Sequence, residues 1–225
     1  MNKEKHVVVI YPHPDDESFG AAGTITQFRK QGVPVTYLCG TLGEMGRNMG
    51  NPIIANRETV PEIRKKELIN ACKLLDIDLH LLGYRDKTLE FEDVTEVALH
   101  IKSLLEKLQP SLVITHYPDH AVHPDHNALG RAAIEAVRLM DENLRPTVWA
   151  QAITNTAYED LGKPDIVYDV EPYFDQKMAA IQAHKTQASG ILSGFKRKDK
   201  SNESLREIAL ERLGKEAFYI WDFKS

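Results

Sequence analysis

The chain has 225 residues, 42% of them hydrophobic and 27% charged, and 28 Lys and Arg stand against 33 Asp and Glu for a formal net charge of −5. That length suits one domain with a short C-terminal extension over about 188–225, and it is enough to bury a sizeable core. The composition excludes a disordered chain and a disulfide-held mini-protein, and the acidic balance argues against nucleic acid as a partner. Cys39 and Cys72 lie in apolar surroundings outside any CxxC and are expected as buried free thiols. No apolar run approaches the roughly 18 residues of a membrane span. No secretory leader pattern precedes the first strand, so a cytoplasmic protein without a membrane partner is expected.

The run His6–Tyr11 is β-branched and continuous, the look of a strand buried on both faces of a parallel sheet. A helix is expected over Ser18–Gln31, closed by Gly32, and then a strand over Val33–Cys39. Gly40–Asn56 has no period and reads as a long loop, a length that often carries function. Helical patterning returns over Pro61–Leu75. A strand follows at Ile77–Leu82, and Val94, Val97, Ile101, Leu105 and Leu108 keep helical spacing up to the stop at Pro110. Further strands are expected at Leu112–Thr115, Thr147–Ile153 and Ile166–Val170, with helices over His126–Met140, Tyr173–His184 and Glu203–Leu213. Ser189–Asn202, including the basic stretch Lys196, Arg197, Lys198 and Lys200, reads as a solvated loop. The alternation predicts an α/β fold: a Rossmann-like, open, mostly parallel sheet with helices on both faces, whose ligand site lies beyond the C-terminal strand ends.

Two clusters fall on that rim. The first strand ends in Pro12-His13-Pro14-Asp15-Asp16-Glu17, and the strand ending near His116 leads to His123-Pro124-Asp125-His126. Imidazoles and carboxylates without a nearby cysteine suit a catalytic zinc ion with an open position. Iron(II) or another divalent ion accepts the same set, while calcium and magnesium prefer all-oxygen shells. Asp15, Asp16 and Ser18 could instead serve as helix caps. His116 and His120 read as satisfied or solvated histidines.

These two motifs resemble the signatures of the LmbE-like, or PIG-L, family of zinc-dependent N-deacetylases. Gly43-Glu44, the helix Arg64-Lys65-Lys66-Glu67 with Ala71, the turn Leu82-Gly83-Tyr84-Arg85-Asp86, and the late Lys177, His184 and Gln187 match in order. The chain looks most like the branch that deacetylates N-acetylglucosaminyl-malate in bacillithiol biosynthesis. The resemblance implies that His13, Asp16 and His126 bind zinc, that Asp15 is general base to the metal-activated water, and that His123 stabilises the oxyanion or protonates the amine. Asp125 would orient a neighbouring histidine. Glu44, Arg64, Asp86 and His184 would serve the sugar pocket, although Arg64 could equally pair with Glu67 on a surface helix and Asp86 could be only a turn residue. Arg47 and Arg57, in the long loop, offer positive groups for the two carboxylates of a malate-bearing substrate. Relatives often assemble, which implies a homo-oligomer. One departure is Ala121, where some relatives place an oxyanion-holding tyrosine; Tyr117, Tyr219 or a histidine is the candidate substitute.

The competing expectations are a deacetylase of another N-acetyl sugar such as chitobiose, an amidase of a thiol conjugate, a metal-dependent phosphoesterase, and a non-catalytic sugar- or metal-binding protein. The phosphoesterase requires a second metal site, and the binding protein has no use for Asp15 and His123. A nucleotide-binding fold is disfavoured because the first turn lacks GxGxxG.

Overall fold

The computed structural model describes residues 4–188 and 205–223. The expected loop over Ser189–Asn202 and its basic stretch lie outside the described residues. Strand β1 (Val7–Tyr11) is fully buried at every position, as its unbroken apolar run requires. Its alternate residues feed two cores. Val7, Val9 and Tyr11 face one, while Val8 and Ile10 face the other.

The remaining elements follow in chain order: α1 (Asp16–Gly20), α2 (Ala22–Lys30), β2 (Val35–Cys39), α3 (Val60–Leu75), β3 (Asp78–Leu81), α4 (Val94–Leu108), β4 (Leu112–His116), α5 (Pro124–Arg138), β5 (Thr147–Gln151), α6 (Ala157–Leu161), β6 (Ile166–Asp169), α7 (Phe174–Ala183), α8 (Leu205–Leu213) and β7 (Lys215–Ile220). The sheet has seven strands in the order β3-β2-β1-β4-β5-β7-β6. Strands β1 to β5 run parallel, with Val7 opposite both Val35 and Leu112. Helices α2, α3 and α7 pack together on one face, and α4 and α5 pack together on the other. The open parallel sheet with two helical layers is the expected architecture. Strand order reverses beside β1, so the crevice outside β1 and β4 is the topological switch point where such folds bind ligands.

Several expectations need correction. The first helix is broken at Ala21, whose φ of −141° leaves the helical region. The N-terminal amides of α2 find an acceptor elsewhere: Glu216 on β7 accepts from Gly23 N at 2.9 Å and Thr24 N at 2.8 Å. A carboxylate there satisfies orphan donors and meets the positive end of the helix dipole. The same carboxylate meets Lys177 Nζ at 2.6 Å, with both side chains 1% exposed. Strand β7 itself was not expected. It lies between β5 and β6 and is antiparallel to both, so the C-terminal residues complete the sheet rather than extend beyond it. Its buried positions include Glu216 as well as Phe218, and a charged residue on the inner face hides the period-two pattern. Helix α5 starts at Pro124, two residues before the expected His126. Cys39 and Cys72 are buried free thiols, as expected. No helix among the described residues is long and apolar enough to cross a membrane.

Gly130 brings α5 against the sheet. A Cβ at this position would lie 2.5 Å from the His116 carbonyl oxygen, so any side chain must lift the helix from β4. We expect Gly130→Ala to lower unfolding stability by about 1–3 kcal/mol, measured by urea denaturation. An unchanged midpoint and slope would show that this close approach is not a constraint.

Candidate metal centre and cleft

Tyr11 ends β1 and His116 ends the adjacent β4, so the loops that follow them meet above the sheet. His13 Nδ1 lies 3.1 Å from His126 Nε2. Asp16 Oδ1 lies 3.4 Å from His126 Nε2, and Asp16 Oδ2 lies 3.6 Å from His13 Nδ1. Tetrahedral bonds of about 2.0–2.1 Å leave ligand atoms about 3.3–3.4 Å apart, so this triangle of side chains, with one Asp16 oxygen toward each ring, suits a zinc-sized divalent ion.

The far sides of both rings are tied. His13 Nε2 meets Asp125 Oδ2 at 3.1 Å and Asp86 Oδ1 at 3.2 Å, while His126 Nδ1 meets the Ala121 carbonyl at 3.1 Å. Such partners fix the ring orientation and leave the other nitrogen to a metal. Three groupings, His13–His123–His126, Asp16–His116–His126 and His13–Asp86–Asp125, bring ligand atoms within 4.8 Å of one another. Each shares His13 or His126 with the triangle, so they surround one centre. His116 is buried and stacks on His126, with centroids 4.1 Å apart and planes 5° from parallel.

The charges follow from this crowding. Burial pulls His13 down, but hydrogen bonds to Asp125 and Asp86 outweigh it and hold the ring at about 10. Burial pushes Asp16 up, yet His126 and His13 hold its carboxyl far below the ordinary range. The carboxylates around these rings favour positive charge, whether proton or metal ion.

Asp15 stands beside this triangle in a left-handed conformation, φ 107°, and its side chain caps no helix amide. The capping alternative is therefore not what the side chain does. Burial pushes its carboxyl up to about 6 against the pull of Arg64. That guanidinium lies 3.5 Å from Asp15 Oδ2 and donates to the carbonyls of Gly43 and Pro14. Gly43 has φ +64°, and a Cβ there would collide with Arg64. His123 caps the N-terminus of α5, its Nδ1 accepting from Asp125 N at 3.1 Å. The neutral ring therefore carries its proton on Nε2. These groups open on a cleft of about 270 Å³ whose lining includes His13, Asp15, Asp16, Arg64, His123 and His126.

Residues 8–137 match the family PIG-L, described as GlcNAc-PI de-N-acetylase, a stretch that contains every residue of the triangle together with Asp15 and His123. The chain belongs to the PIG-L family. Similar proteins include two bearing the name "Probable N-acetyl-alpha-D-glucosaminyl L-malate deacetylase 2". The one from Bacillus cereus is 51% identical over 93% of this chain and 97% of its own length. The one from Bacillus subtilis is 53% identical over 89% of this chain and 91% of its own. Among solved structures, N,N'-diacetylchitobiose deacetylase from Pyrococcus horikoshii, complexed with its inhibitor MPG, aligns with a TM-score of 0.75 and 26% identity, covering 97% of this chain and 84% of that one.

Other expected site residues of this PIG-L chain divide between the cleft lining, which holds Arg47, Arg64 and Asp86, and positions behind it. His184 is fully buried, meets Glu17 Oε1 at 2.7 Å and is not among the cleft-lining residues. Glu17 Oε2 in turn accepts from Asp15 N at 3.0 Å, which makes the pair a brace behind Asp15. Glu44 accepts from Asp86 N at 3.1 Å, and Arg57 donates to the Gly46 carbonyl at 3.0 Å; both brace the long loop. Asp86 lines the cleft with its oxygens engaged by His13 and Met45 N. Arg64 is 4% exposed and turns to Asp15, while Glu67 accepts from Thr186, so no surface pair joins them. Arg47 is exposed on the cleft wall. Neither tyrosine considered as a substitute at the Ala121 position reaches the cleft. The Tyr219 hydroxyl donates to the Gly162 carbonyl, and Tyr117 packs on Tyr219 and Trp221.

Cleft residues not foreseen include Lys87 and Met45, while Gln187, matched by resemblance without a stated role, also lines it. Lys87 directly follows the recognised turn ending at Asp86, and that adjacency was the available signal. His116 was visible as the last residue of a strand, where this fold places its site.

Proposed function

We propose that this chain is a metal-dependent N-deacetylase of an N-acetylglucosamine unit linked to L-malate, acting in bacillithiol biosynthesis. The carrying observation is the convergence of His13, Asp16 and His126 beside Asp15 in one cleft. The names of the half-identical Bacillus relatives support the substrate.

His13, Asp16 and His126 would hold the ion, which we assign as zinc. A zinc ion there supplies a lowered water pKa of roughly 7 and a polarised amide carbonyl. Asp15 takes the proton of the attacking water, and a carboxyl near 6 is well matched to that task near neutral pH. His123 donates from Nε2 to the carbonyl oxygen as charge develops there. The amine leaves with a proton, which Asp15 returns after accepting it from water. Asp125 and Asp86 orient His13, and Arg64 holds Asp15 in place. The surroundings of this chemistry are a cytoplasmic small-molecule pathway.

Acetate release is the direct test. N-acetylglucosaminyl-malate should be hydrolysed by the metal-loaded protein, the reaction should stop on chelation and return with zinc. N-acetylglucosamine and diacetylchitobiose should be poorer substrates. Release from those sugars alone would move the substrate assignment, and no release despite stoichiometric metal would overturn the deacetylase reading.

A further inference from the structure

Two cations stand on the cleft wall with no role in the chemistry above. Arg47 and Lys87 both line the cleft and are exposed, and among the described residues neither charged group has a hydrogen-bond or ion-pair partner. They come from segments distant in sequence that are stitched together. Met45 N donates to Asp86 Oδ2 at 2.7 Å, and Asp86 N donates to Glu44 Oε2 at 3.1 Å. Arg47 is two residues from one end of that stitch and Lys87 is next to the other. Their side chains therefore rise from neighbouring points of one wall.

Lys87 is also anchored at its backbone. Its N–H donates to Asp125 Oδ2 at 2.7 Å, the oxygen that meets His13. Its φ of 64° is left-handed, a conformation glycine would take without strain. A long cationic side chain kept at a strained position beside a functional site points to use of that side chain. The electrostatics add a reason. On the cleft floor the carboxylates of Asp15, Asp86 and the nearby Asp125 already engage Arg64 and His13, so the floor spares no cation for an anionic aglycone and the rim must supply them.

We propose that Lys87 and Arg47 form a two-cation subsite for a dicarboxylate aglycone. The Arg47 fork takes one carboxylate and the Lys87 ammonium meets the other. This rests on the deacetylase reading and assigns Lys87 as a specificity-determining residue of that site.

The test compares kcat/KM for N-acetylglucosaminyl-malate with kcat/KM for the methyl glycoside of N-acetylglucosamine, using the metal-loaded wild type, Lys87→Met, Lys87→Arg and Arg47→Met. The acidic-to-neutral ratio should fall about tenfold in each Met variant. Lys87→Arg should restore most of it, which a purely structural role for the turn does not predict, and added salt should shrink the wild-type ratio. A Lys87→Met ratio within about twofold of wild type would overturn the subsite while leaving the deacetylase reading intact. Wild-type turnover of the neutral glycoside alone would do the same. Turnover of neither glycoside would bring down the deacetylase reading and the subsite with it.

Discussion

Asp15→Asn should keep its metal and lose about a hundred- to ten-thousandfold in kcat, the usual worth of a positioned general base. Asparagine is the informative replacement for two reasons. Asp15 has φ 107°, and asparagine tolerates positive φ better than alanine does. It also keeps an oxygen for Arg64, whose buried guanidinium would otherwise lose a partner 3.5 Å away. Metal content measured on the same sample separates loss of the base from loss of the ion. Wild-type kcat in Asp15→Asn would remove Asp15 as base, and loss of metal would recast it as a ligand.

His126→Ala should weaken metal binding by about a hundredfold or more, because even partners behind a ligand are worth tens of fold in affinity. Its Nε2 lies closest to both other donors of the triangle, at 3.1 Å from His13 and 3.4 Å from Asp16. Removing it leaves two donors and exposes the face of His116 on which it stacks. Turnover should vanish at limiting zinc and recover only in part at high zinc. Titration against a competing chelator reads the affinity directly. Full metal retention would mean that His116 or His123, both within ligand distance of the centre, completes the set instead.

The candidate metal centre was readable because its residues cluster locally. His13, Asp15 and Asp16 fall within four positions after one strand, and His123, Asp125 and His126 within four after another. The parallel-sheet pattern alone says that such ends converge. The brace and the wall were harder. Arg64 sits on a helix with an acid three residues on, which in sequence looks like an exposed pair. Only the packing of α3 beneath Gly43 turns it inward to Asp15. His184 reads as a pocket residue by resemblance, yet it lies buried against Glu17 and outside the cleft lining. Lys87 offers only its place after the turn ending at Asp86 as a cue, since its backbone hydrogen bond reaches a residue 38 positions away. Strand β7 escaped notice because Glu216, inside the protein, breaks the apolar rhythm to serve α2 and Lys177.

That last strand has a consequence for how the protein is made. Strand β6 pairs with β7, which lies between it and the rest of the sheet. A ribosome delivers residues in order, and upstream parts fold first. The loops carrying His13 and His126 therefore both emerge well before residues 215–220 can dock. Until then β6 has no neighbour, the amides opening α2 lack their acceptor, and Lys177 has no counter-ion in a place sealed from water. A nascent chain interrupted near its end would not be a slightly trimmed enzyme. It would carry an uncompensated charge in its interior, the kind of defect that folded proteins tolerate worst, and both His/Asp motifs would be present while their scaffold was incomplete.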